Sequence, residues 1–116
     1  MEESILDSVK QVIGISTDDT DFDPQIIMHI NTVLFTLNQI GSGNIGFKIT
    51  GRSEKWSDLY DDEDQDIHAI QTYVALQTWV LFDSSGITSG TMSAIKEQIK
   101  ELEWRINIER ESLEED

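Results

Sequence analysis

Apolar residues recur three and four positions apart along most of this chain, in four blocks separated by glycine and acidic punctuation, and that spacing commits it to helices. A half-buried strand would alternate instead. The first block, residues 3–13, sets Ile5, Leu6, Val9, Val12 and Ile13 on one side and meets Gly14, a natural helix stop. It predicts a peripheral helix buried along a single face. The acidic stretch ISTDDTDFD follows as a loop, and Asp23-Pro24 opens the second helix, with aspartate as N-cap and proline at the first helical position. That helix is expected to reach about Ile40, ahead of Gly41. Ile26, Ile30, Val33, Leu37 and Ile40 make its main stripe, which Ile27 and Leu34 widen, while Met28 and Phe35 fall on the opposite side. A helix apolar on two sides sits centrally or meets a second subunit.

The third long helix, residues 66–83, carries Ile67, Ile70, Val74 and Leu81 on one stripe, flanked by Ala69, Tyr73, Leu76 and Val80. It is the most apolar segment and is expected to form the core. SSGITSG breaks it, and a last helix runs from about Thr91 to Arg110, with Met92, Ile95, Ile99, Leu102 and Ile106 in 3-4-3-4 spacing. That seam is too short for a coiled coil and suits bundle packing better. Trp104 and Ile108 fall on the far side of the same helix, beside Glu97 and Glu101, and are candidate interface residues; the alternative is that another segment folds over them. The tail, ESLEED, is expected to fray. The expectation is therefore all-α: a single domain over residues 1–116, built as a small bundle of four main helices. A long connection, 41–65, joins the second to the third. Phe47 and Ile49 alternate with Lys48 and Thr50, giving room for a short strand or hairpin, and SEKWSDLY can make a short helix. Connections of this length in compact domains usually have a job. This one holds Lys48, Arg52 and Lys55, three of the eight basic residues, which either meet acids on a partner or pair with the Asp58–Asp66 run.

Charge narrows the function. Twenty-three acidic residues outweigh the eight basic ones, for a net −15, and no Lys or Arg occurs between Trp56 and Ile95. Favourable DNA binding depends on Lys and Arg displacing counterions, so sequence-specific or other direct DNA binding is not expected. A 38% hydrophobic content in blocks argues against disorder, and zero cysteines remove disulfides, zinc thiolates and cysteine nucleophiles. No apolar run approaches the roughly 20 residues of a membrane span. The acids of MEESILDSVK replace the positive charge of a signal peptide, which predicts folding in a cytosol.

Three motifs invite chemistry. Gly41-Ser-Gly43-Asn-Ile-Gly46 spells the dinucleotide fingerprint, but a helix precedes it and no βαβ unit surrounds it. Asp19/Asp21/Asp23 and Asp62/Asp64/Asp66 resemble calcium loops, yet Pro24 and Ile67 stand where the turn glycine belongs, and Ile30 and Tyr73 where the bidentate Glu belongs. His29 and His68 lack any helical metal-site spacing, and no Ser or Thr sits in a nucleophile elbow. No catalytic, cofactor or metal residue is expected.

In order along the chain, ILDSVKQVIGI, FDPQIIMHINTVLFTLNQIG, WSDLY, IQTYVALQTWVLFD and IKEQIKELEWRINI resemble the head–tail connector (head-completion, adaptor) proteins of tailed phages and prophages of Gram-positive bacteria. The resemblance covers Ile5 to about Ile108 and is most specific in DPQIIMHIN and KELEWRINI; DSSGITSG departs from the prolines often found there. It implies a non-enzymatic virion protein, made in the bacterial cytoplasm and resident at the head–tail junction. It further implies a homo-oligomeric ring, twelvefold in the particle, whose partners are the portal and the next connector or tail-completion protein. The ring would extend the DNA channel. A second reading of the same charge is an acidic DNA mimic that inhibits a host DNA-binding protein. Two-sided helices favour the ring, because a soluble mimic should keep its apolar residues on single inward faces. For the ring, Met28, Phe35, Lys48, Arg52, Lys55, Trp104 and Ile108 are the candidate contact residues.

Overall fold

A computed structural model describes residues 4–39, 47–59, 67–83 and 85–114, the side chains of Ile67 and of 107–114 excepted. The described residues form five helices: α1 (Ile5–Ile13), α2 (Asp23–Gln39), the single-turn α3 (Trp56–Leu59), α4 (Ile67–Asp83) and α5 (Ser89–Glu114). Each end has an identifiable cause. Ser4 caps α1 by accepting the Asp7 amide at 3.0 Å. At the other end Gly14 adopts φ +90°, and the Ile15 and Gly14 amides return to the carbonyls of Lys10 and Gln11, the double closure that a left-handed residue allows. The α2 start differs from expectation by one residue. The Phe22 carbonyl accepts the first helical bond, from Ile26, which makes Asp23 helical and frees its carboxylate for another partner. Thr88 caps α5 through the Thr91 amide, so that helix begins at Ser89 rather than Thr91. It also continues past Arg110 to Glu114.

Helix α4 is the hub: it packs against α1, α2 and α5, while α1 also touches α2. Its placement follows from composition, since Ala69, Ile70, Tyr73, Val74 and Ala75 are all buried and cover more than one side. Helix α2 contributes Ile26, Ile30, Val33, Leu34 and Leu37, and α5 contributes Ile95, Ile99, Leu102 and Ile106, the spacing expected of its inner seam. Two positions leave the stripes assigned to them. Val12 and Leu81 are exposed; the burial expected at Val12 is met instead by Lys10, on the other edge of the α1 stripe.

The described half of the long connection folds back onto the bundle, and no strand or hairpin forms there. Residues 47–50 form no strand, and at Ile49 a side chain rather than a neighbouring strand bonds the backbone. The Asn31 carboxamide accepts from the Ile49 amide at 2.8 Å and donates to its carbonyl at 3.1 Å. Further on, the Ile5 amide bonds the Glu54 carbonyl in an isolated bridge, and Trp56 Nε1 donates to Ser8 Oγ. The Gly41–Gly46 motif, Ile40 and the Asp62–Asp66 run lie outside the described residues. Among the described residues, no helix is long and apolar enough to cross a membrane.

Candidate functional site

Two outward faces stand out, one on α2 and one on α5. On α2, the five buried residues define the inner side, and Met28 and Phe35 lie opposite it, 59% and 67% exposed. They are joined by Pro24, Ile27 and Thr32 in an open groove of about 550 Å³. Lys48 closes its rim. That lysine is placed by Asn31: the paired hydrogen bonds to Ile49 fix the backbone next to it, so a residue of the connection is held against a face of α2. Asparagine has poor helix propensity, and its presence mid-helix is the signal that would have marked this tertiary role.

On α5, Trp104 is 67% exposed, as the phase of the helix predicted, and among the described residues no other segment folds over it. Glu97, Lys100 and Glu101 are exposed around it. A shallow groove of about 280 Å³ runs beside the indole, lined by Gln98, Glu101, Leu102 and Arg105. The backbone at Ile108 continues the helix; its side chain lies outside the described set.

The two faces point away from each other. Phe82 of α4 meets Phe22 edge-on at 5.7 Å and His29 at 6.4 Å, which is the side toward α2. Tyr73 donates to Glu103 of α5 at 2.9 Å. Tyr73 and Phe82 are about two and a half helical turns apart, which puts them on opposite sides of α4. Helix α4 therefore lies between α2 and α5, and each of those helices turns its exposed apolar residues outward.

The other basic candidates are differently placed. Arg52 is exposed, yet its guanidinium is bound to Asp7 of α1, with contacts of 3.1–3.2 Å. The hydrogen bond and charge of Asp7 push the Arg52 pKa up. Its partner among the described residues is thus an acid of the first helix; residues 61–66 lie outside the described residues. Lys55 accepts a role at the start of α3, where its amide donates to the Asp58 carboxylate. Glu54 is pushed up by burial, but hydrogen bonds from the Thr50 hydroxyl and nearby backbone outweigh this and hold it below the usual carboxylate range.

Sequence reasoning missed Lys10. Its side chain is fully buried, and its ammonium donates to the Asp19 carbonyl (2.7 Å), the Asp23 carboxylate (2.8 Å) and the Thr17 carbonyl (3.3 Å). All three donors are engaged, which is how a buried ammonium is tolerated. The first acidic run is thereby organised around a cation of the chain itself. Among the described residues no cluster of His, Asp or Glu is arranged to hold a metal.

A family model described as phage connector protein matches residues 5–113. No curated protein and no solved structure matches the chain.

Proposed function

The chain belongs to the phage connector protein family, a structural family of the virion that serves head–tail joining, and from that premise we propose that it is the subunit of an adaptor ring. The ring sits between the portal and the tail, extends the DNA channel and offers the docking surface on which the tail or the next connector is built. The observation that carries this reading is the family match over nearly the whole chain. The structure supports it physically: a subunit with outward apolar faces on opposite flanks can be tied to a neighbour on each side. Closed rings arise from such head-to-tail contacts when the rotation closes. The net charge of −15 suits a conduit, because acidic walls keep a passing duplex from adhering.

The test is reconstitution. Portal-bearing, DNA-filled heads made without this protein should bind the purified chain as a ring at the portal vertex, visible by electron microscopy, and should then accept tails. A protein that stays monomeric and leaves such heads unoccupied would refute the adaptor reading.

A further inference from the structure

We propose that the groove on α2, formed by Met28, Phe35 and Ile27 with Lys48 at its rim, receives Trp104 of an adjacent copy of this chain. Glu97 and Glu101 of that copy would face Lys48. This rests on the ring reading above and specifies its subunit contact.

Three observations converge on a second copy as the occupant. The faces differ in shape: the α2 side is an open apolar hollow, and the α5 side carries a projecting indole. They differ in charge. Lys48 is the basic residue of the α2 groove, and its side chain is exposed with no ion pair among the described residues. Two exposed glutamates stand beside the indole, Lys100 flanks its other side, and the nearby Arg105 already has an interaction within the chain. Finally, the faces lie on opposite sides of α4, so one copy cannot satisfy them together, whereas a closed ring of copies satisfies every one. An interface between unlike faces propagates head to tail, which a contact between two identical α2 faces would not do. Burying the indole between Met28 and Phe35 supplies the aromatic anchor typical of binding hot spots.

The chain has no cysteine, so engineered pairs report without background. Thr32 and Glu101 are exposed within the two faces; neither is an apolar anchor, and Glu97 still faces Lys48 when Glu101 is replaced. The full-length double variant Thr32→Cys/Glu101→Cys, assembled on portal-bearing heads and treated with a short bismaleimide, should give a ladder of covalent multimers. Each single variant should give none. Trp104→Ala should weaken subunit association roughly 30-fold or more, as expected for a hot-spot residue. Lys48→Glu should do likewise, and the charge swap Lys48→Glu/Glu101→Lys should recover most of the loss. Circular dichroism checks that each variant is folded. Rings that form normally but yield no ladder, or dimers from the Thr32→Cys variant alone, would overturn this pairing and leave the adaptor reading standing. Failure of the unmodified protein to form any ring on the portal would overturn both.

Discussion

Replacing Lys10 with Met keeps the aliphatic stem in the core and removes the ammonium, which isolates what that charge contributes. In the native fold it makes three hydrogen bonds, one of them to a carboxylate, from a fully buried position. Bonds involving a charged group contribute about 1.5–3 kcal/mol each, but the cost of desolvating the ammonium cancels a large part. The acceptors also recover partly in the variant. Asp23 keeps 16% side-chain exposure, and the loop carbonyls of Thr17 and Asp19 sit near the surface, so water can reach them. The expected net loss is about 2–4 kcal/mol, somewhat below the ~3–5 kcal/mol for breaking a fully buried pair. With a urea m-value of about 1–3 kcal/mol/M for a chain of this size, the midpoint should fall by roughly 1–2 M. Urea denaturation followed by circular dichroism measures this directly. Asp23→Asn, which leaves the fully buried ammonium without a countercharge, should cost at least as much as Lys10→Met. A Lys10→Met variant within about 0.5 kcal/mol of the parent would show that the ammonium does not organise the 15–23 loop.

Three further outcomes follow from the same contacts. Asn31→Leu deprives the buried Ile49 of both its backbone partners and should cost about 2 kcal/mol in urea, with faster hydrogen exchange at the Ile49 amide. Trp104→Ala should lower monomer stability by no more than about 1–2 kcal/mol, against the ~3–5 kcal/mol of a core tryptophan, because two-thirds of the residue is already in water. Burial, with a contribution from Glu103, pushes the Tyr73 phenol up to about 12 although the Gln77 hydrogen bond opposes this. The raised value means that the neutral form is favoured in the fold, so this stability is intact below pH 10 and is lost as pH rises from 10 towards 12; tyrosinate absorbance of a Tyr60→Phe variant should show Tyr73 titrating in that upper range.

Much of this was legible in the sequence because periodicity reports which side of a helix is inward. The α5 seam, the outward phase of Trp104 and the two-sidedness of α2 all follow from spacing alone, and the structure places Ile95, Ile99, Leu102, Ile106, Trp104, Met28 and Phe35 accordingly. What was not legible depends on partners distant in sequence. Period cannot show that Lys10 turns inward, because its burial requires acceptors from a loop whose path is set only in the fold. It misreads Phe47–Ile49 as a strand for a related reason: alternation signals an extended chain, and here the backbone hydrogen bonds at Ile49 are made by a side chain. Arg52 shows the same limit, since spacing gives no sign that Asp7, 45 residues away on α1, is one of its partners.

The distribution of charge bears on how such a subunit avoids indiscriminate association. Copies carrying −15 repel one another over the Debye length of about 8 Å at physiological ionic strength. Cations that could offset this are scarce, and the fold commits some of them internally: Lys10 holds the 15–23 loop, and Arg52 ties the connection to α1. Lys48 is kept outside, beside the largest exposed apolar residues of α2, by a hydrogen-bonded clamp from that helix. On the proposed pairing, repulsion disfavours every contact between copies except one that sets Lys48 against glutamates while burying the indole. Specificity would then come from the general penalty as much as from the contact. A portal that holds subunits side by side raises their effective concentration and offsets the repulsion, so that the same weak contact, repeated around a closed circle, suffices only where the ring is needed.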